Sequence, residues 1–198
     1  DLDVITATVD EASFDNATSV KVTSAENITF GSIDAADDAI LDFTGVTGTL
    51  SVTVDTLNDY SVKGSLGSAN TFIMGNGLDS DDIISGGSAS TDSLTATVNG
   101  LSAATGKLAI TGVEIFAFDV TATSTLDLGD VTGVTSISNN NNSSGANLTL
   151  ENLKSVPIIN ISGNDDDTTV NLEDSAVSGS SDVLTLNLSS MTSNSNVT

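Results

Sequence analysis

The chain contains no cysteine, histidine, arginine or tryptophan, and it has one tyrosine, one proline and six phenylalanines in 198 residues. Without cysteine there is neither a disulfide nor a thiolate. Stability must come from packing, bound metal or contacts between copies. Without histidine or cysteine no Ser-His-Asp or Cys-His arrangement can be assembled. Paired carboxylates could in principle cut a glycosidic bond, but a chain with Tyr60 as its single tyrosine lacks an aromatic platform for a sugar. The sequence therefore points away from an enzyme and from a small-molecule substrate.

Positive charge is equally scarce. Lys21, Lys63, Lys107 and Lys154 stand against 27 acids, a formal net charge of −23. Nothing can neutralise a phosphate backbone, which excludes nucleic acid as a partner. An anionic membrane surface would repel the chain, and no apolar run reaches the 18 residues a spanning helix needs. The opening "DLDVITATVD" has no start Met and no basic region, so it is not a signal peptide. It reads as the start of a mature protein or of a piece of a longer one. A charge of this size opposes compaction by self-repulsion, and cations relieve it.

Aromatic residues make up only 4 %. A compact sandwich draws on large rings to fill its middle; here the core must be narrow, built from Val, Ile, Leu, Ala and a few Phe. Val, Ile and Thr favour strands, and Ser and Thr compete with helical hydrogen bonds. Only "SIDAADDAILDF" at 32–43 has some helical composition, with Ser32 or Asp34 available to cap one turn.

What the chain does have is repetition. "DVITATVD" at 3–10 returns as "DSLTATVN" at 92–99 and "DVLTLNLS" at 182–189. Glu26 and Glu114 lie 88 apart, as do the "TGV" motifs at 44 and 132 and the "GN" motifs at 75 and 163. This gives repeats 1–90 and 91–180 and a partial third at 181–198. Inside them a shorter period runs. Leu41, Val62 and Ile84 fall 21 and 22 apart, as do Val113, Val134 and Val156; Leu126, Leu148 and Val170 fall 22 apart. "TLDL", "NLTL" and "TVNL" alternate apolar and polar, as half-buried strands do.

One period of about 22 residues with short alternating strands is one coil of a parallel β-solenoid, with stacked like residues as its core. The expectation is an all-β, single elongated domain over 1–198. About nine coils at roughly 4.8 Å would give a rod of roughly 40 Å. The alternative is two tandem Ig-like β-sandwiches of about 88 residues, which would explain the long repeat but not the short one. Pro157 needs an edge or a strand start in either fold. In "ITGVEIFAFD" at 110–119, Val113, Ile115 or Phe116, and Phe118 fill the core, and Glu114 is expected at a strand or corner with a structural role. Asp42 and Asp127 are expected to point outward from strands. The Thr-x-Thr pairs, such as Thr6/Thr8 and Thr95/Thr97, do not recur at 22, so no continuous Thr ladder is expected.

Three acidic groups are candidate metal ligands: Asp34, Asp37 and Asp38; Asp79, Asp81 and Asp82; Asp165, Asp166 and Asp167. The last two follow a Gly-Asn and are read as equivalent places in the two repeats. Glycine turns supply carbonyls and close aspartates supply carboxylates, the donor set of Ca²⁺. "GNGLDSDDIISGG" resembles a degraded calcium-binding repeat of the RTX kind, with Gly75, Gly77 and Asp79 on the motif's glycines and aspartate and Asp81 where it has an apolar residue. Acidic, cysteine-free composition with phrases such as "DSLTATVNG" and "ITGVEIFAF" is similar to the surface-layer proteins of Gram-negative bacteria that leave by type I secretion. That resemblance implies a calcium-stabilised β-solenoid on the outer face of a prokaryotic envelope, self-associating into a lattice or filament. The second reading is a rod-like segment of a large secreted adhesin.

Overall fold

The computed structural model describes residues 6–54, 58–88, 91–143, 145–163, 166–180, 182–191 and 195–198. The chain winds as a parallel β-solenoid whose strands form three sheets. The first sheet stacks β1 (Thr6–Val9), β4 (Asn27–Ala35), β6 (Leu50–Val54), β8 (Asn70–Ile73), β10 (Ser93–Asn99), β12 (Ile115–Ala122), β14 (Ser136–Asn142), β16 (Ile158–Ser162) and β18 (Thr185–Ser189), with β2 (Ala12–Phe14) beside the later half of β4. The second stacks β3 (Ser19–Ser24), β5 (Ala39–Val46), β7 (Tyr60–Lys63), β9 (Ile83–Ser85) and β11 (Ala109–Thr111). The third, confined to the later coils, holds β13 (Ser124–Asp127), β15 (Leu148–Leu153) and β17 (Thr168–Leu172). Among the described residues helix is limited to 3₁₀ turns at Ala103–Thr105 and Asp174–Val177, and no helix is long and apolar enough to cross a membrane.

Every described strand pair is parallel, which rules out the Ig-like sandwiches, whose sheets are antiparallel. Partners on the first sheet, such as Leu94↔Phe116 and Ile137↔Ile159, sit 22 residues apart. The step from Ile158 to Thr185 is longer, at 27, because the loop through Asp174–Val177 intervenes.

Alternation decides what faces inward. One core column runs Phe30, Val52, Phe72, Leu94, Phe116, Ile137, Ile159 up the first sheet. All seven are buried. A second runs Val20, Leu41, Val62, Ile84, Ile110 up the second sheet. Phe30 and Phe43 meet across the interior with centroids 5.7 Å apart. Phe116 and Phe118 meet edge-on at 5.9 Å. Val113, Phe116 and Phe118 lie inside, whereas Ile115 points out.

Several expectations change. Residues 32–43 form the end of β4, a turn and the start of β5. Ile33, Ala35, Ala39, Leu41 and Phe43 are all buried, so a strand period of two overrides the helical composition. In the third sheet Leu126 stacks on Leu150 and Leu150 on Val170. These steps are 24 and 20 residues, where spacing alone pairs Leu126 with Leu148. The Asn-rich stretch after Ser138 adds length on one side of the coil, with a bulge between Phe118 and Asp119 in the neighbouring ladder. Asp127 is buried, its Oδ1 accepting from the Gly129 N–H at 2.9 Å, while Asp42 does face outward. A hydroxyl column also exists: Thr8, Thr29, Ser51, Thr71 and Ser93 stack in register, serine standing in where threonine does not recur.

Opposite charges stack where they can. On the second sheet Asp42 lies in register between Lys21 and Lys63, with Lys21 Nζ 3.6 Å from its Oδ2. The Thr44 hydroxyl and N–H, then Lys21, hold the Asp42 carboxyl below its ordinary range. Lys107 and Lys154 both reach Asp130.

Candidate acidic corner and cation site

The later coils carry the third sheet; in the earlier coils acidic turns lead into the second. Asp37 and Asp38 precede β5, Asp59 precedes β7, and Asp79, Asp81 and Asp82 precede β9. One coil separates Asp37 from Asp59 and Asp59 from Asp81, so the winding itself brings these carboxylates to one corner.

Asp59, Asp79 and Asp81 each offer a carboxylate oxygen within 4.8 Å of the others. Asp81 is exposed and the other two are half-buried. Burial first, then the charges of Asp79, Asp37, Asp81 and Asp38, push the Asp59 carboxyl up. Negative charge has thus been crowded beyond what local cations offset, since no lysine is within salt-bridge reach of these groups among the described residues.

Buried side chains fix this crowding in place. Tyr60 is fully buried and its hydroxyl ties to the backbone of Ala35 one coil earlier, accepting from the N–H at 3.2 Å and donating to the carbonyl at 3.3 Å. Asn58 Nδ2 donates to that carbonyl at 2.9 Å. Asp82 is 1 % exposed and braces two coils at once. Its Oδ1 accepts from Tyr60 N–H at 3.0 Å and its Oδ2 from Asp79 N–H at 3.1 Å. Burial pushes its carboxyl up to about 6, partly offset by those two hydrogen bonds. Asp37 Oδ1 accepts from Asp59 N–H at 3.0 Å, and Asp79 Oδ1 from Asp81 N–H at 2.8 Å.

The nine candidate ligands therefore divide. Asp79 and Asp81 join the trio. Asp82 is a brace. Asp37 and Asp38 lie near enough to act on Asp59 but outside the trio, Asp38 at a φ of 61°. Asp34 sits within β4, half-buried and in register with Ser13. Asp165 lies outside the described residues. Asp166 Oδ2 accepts from Ala146 N–H at 3.0 Å, and Asp167 Oδ1 accepts from the Asn196 N–H at 3.0 Å and its Nδ2 at 2.8 Å.

The two Gly-Asn turns start alike, each glycine with positive φ after a strand of the first sheet: Gly75 after β8 and Gly163 after β16. They then part. Residues 79–82 lead into β9 of the second sheet, and 166–167 lead directly into β17 of the third. Their equivalence ends at the turn. Asp59 was missed because the acidic groups were read as local runs. The signal was the 22-residue spacing applied to acids: Asp37, Asp59, Asp81.

A second polar column stands at the opposite corner. Asn70, Asp92 and Glu114 are spaced by 22 and each side chain after the first caps the coil below. Asp92 Oδ1 accepts from Asn70 N–H at 2.7 Å, and Glu114 Oε2 from Asp92 N–H at 2.9 Å. Asn70 and Asp92 are fully buried, and Asp92 Oδ2 has no hydrogen-bond partner among the described residues. Burial raises the Asp92 carboxyl, against the hydrogen bonds of Asn70 and with the charge of Glu114.

The donors at the acidic corner are all carboxylate oxygens, the preference of hard cations; Ca²⁺ accepts six to eight oxygens and flexible geometry, so three carboxylates with water suit it. Nitrogen and sulfur ligands, which zinc and copper favour, are absent from the trio. Comparisons with protein-family models, with curated proteins and with solved structures find no match.

Proposed function

We propose that this chain is a structural segment of a cell-surface protein: a calcium-stabilised rod that self-associates within a surface layer. One observation carries the reading. A stiff stack holds Asp59, Asp79 and Asp81 together at a corner where, among the described residues, no lysine comes within salt-bridge reach of them. A divalent cation bound there offsets two of the trio's three charges and links the coil of β7 to the coil of β9. The chain's own residues supply the rest: Tyr60 and Asp82 anchor the backbone beside Asp59 and Asp79, so little ordering remains for binding to cost. The role is mechanical, extracellular and without chemistry on a substrate.

Electron microscopy of the chain in Ca²⁺ and in chelator tests this. Ordered two-dimensional arrays that dissolve in chelator are the expected outcome. Dispersed rods in both conditions, with calcium still bound by calorimetry, favour the adhesin stalk, which shares the acidic corner and the stiff stack. Dispersed rods with no heat of calcium binding overturn both.

A further inference from the structure

The outer face of the first sheet carries no charge over its two central columns. The hydroxyl column through Ser93 continues in register as Ile115, Ser136 and Ile158. Beside it run Thr53, Ile73, Thr95, Ala117, Ser138 and Asn160. Ile115 and Ile158 are 40 % and 43 % exposed. Polar groups on the face already serve one another. Ser93 Oγ donates to Thr71 Oγ1 at 3.3 Å, and Asn160 Nδ2 donates to Ser136 Oγ at 2.9 Å and to Ser138 Oγ at 3.3 Å. Covering them therefore leaves few unpaired. Acids keep to the margins: Glu26 and Glu114 just before the strands, Asp34 and Asp119 beyond these columns. The other sheets differ. The second carries Lys21, Asp42 and Lys63 beside the acidic corner, and the third carries Glu151. The strands concerned, β4 to β16, each have a coil above and below, so the face is independent of either end of the chain.

We propose that this face docks on the same face of a second copy, rod beside rod. Charge, size and shape choose that occupant. A cationic partner would seek the acidic corners. Two copies, each of net charge −23, can instead bring these columns together without burying an acid. Seven strands at about 4.8 Å and five residues at about 3.3 Å make a face of roughly 570 Å² per copy, or about 1,100 Å² for the pair, which clears the roughly 1,000 Å² of a specific contact. Ile73, Ile115 and Ile158 stand among alanine, serine and threonine, so the large side chains of one face find room over the small ones of the other. The contact deepens the self-association proposed above but needs no cation.

Sedimentation of the chain in chelator tests it. A dimer is expected, and Ala117→Lys and Thr95→Lys, both outward and clear of the core, are each expected to lower its association constant at least tenfold. Ser61→Lys makes the same change of charge on the outer face of the second sheet and is expected to leave association unchanged. Added sodium chloride screens repulsion between two acidic rods and is expected to strengthen the dimer. Monomer at all accessible concentrations overturns the proposal. So does a dimer that Ser61→Lys weakens as much as Ala117→Lys, or one that salt dissociates, since acid–lysine pairs would then carry it. A dimer in chelator without arrays in Ca²⁺ keeps this contact and sinks only the surface-layer reading; arrays in Ca²⁺ that tolerate Ala117→Lys, with monomer in chelator, do the reverse.

Discussion

Carboxylates in this chain separate by what their oxygens touch. Asp82, Asp92 and Glu114 take backbone N–H groups of a neighbouring coil, while Asp59, Asp79 and Asp81 face one another. For a carboxyl whose folded pKa is raised, the folded state binds more protons than the unfolded chain, so stability falls as pH rises through that interval. For Asp82 the interval runs from 3.8 to about 6, and Asp92 shifts in the same direction. In chelator the protein is therefore expected to melt a few degrees higher at pH 5 than at pH 7, with Asp82→Asn flattening that difference; a melting temperature that falls from pH 7 to pH 5 contradicts the assignment. Glu114→Ala strips the acceptor from Asp92 N–H and is expected to cost about 1–3 kcal/mol, measurable by urea denaturation. Glu114→Gln keeps an acceptor and should recover most of it. The structural role of Glu114 was legible from its flanking core residues. Asp82 was not, because nothing in "DSDD" tells an inward carboxylate from an outward one.

At the level of strands, the 22-residue period was legible because apolar residues must stack to make a core, and Leu41, Val62 and Ile84 do so in register. Register was legible only where coil length stays constant. The compensating 24- and 20-residue steps through Leu150 were hidden, since an insertion in one coil and a deletion in the next leave the long spacing unchanged. Inward or outward placement of Ile115 and Phe116 also waited on the corner that precedes them. Phe116→Ala removes a fully buried ring from the longest column and is expected to cost about 3–5 kcal/mol, whereas Ile115→Ala, on the outer face, should cost little; equal losses in denaturation would contradict the alternation. Corners are as demanding. At Gly86 a Cβ would stand 1.9 Å from the Gly112 carbonyl oxygen and 2.6 Å from Asp92 Oδ2. Gly86→Ala must displace the next coil's backbone and should destabilise more than Gly67→Ala, which meets nothing.

Across the whole molecule, thin columns replace a thick core. That answers the scarcity of aromatic residues: a rod one coil wide never encloses a space that needs many rings. It also concentrates charge, because every loop of one corner projects along one edge. The earlier coils use that edge for aspartates and the later coils close it with the third sheet. In the proposed function, the acidic corner takes a divalent cation that holds adjacent coils together. Calorimetric melting of the wild type and of an Asp59→Asn, Asp79→Asn, Asp81→Asn variant, each in Ca²⁺ and in chelator, tests it most directly. At calcium about a hundredfold above its Kd, one site adds about 2.7 kcal/mol, or roughly 5–10 °C for a chain of this size. The wild type is expected to show that rise and the variant to lose it; a wild type that melts at the same temperature with and without calcium contradicts the proposed site.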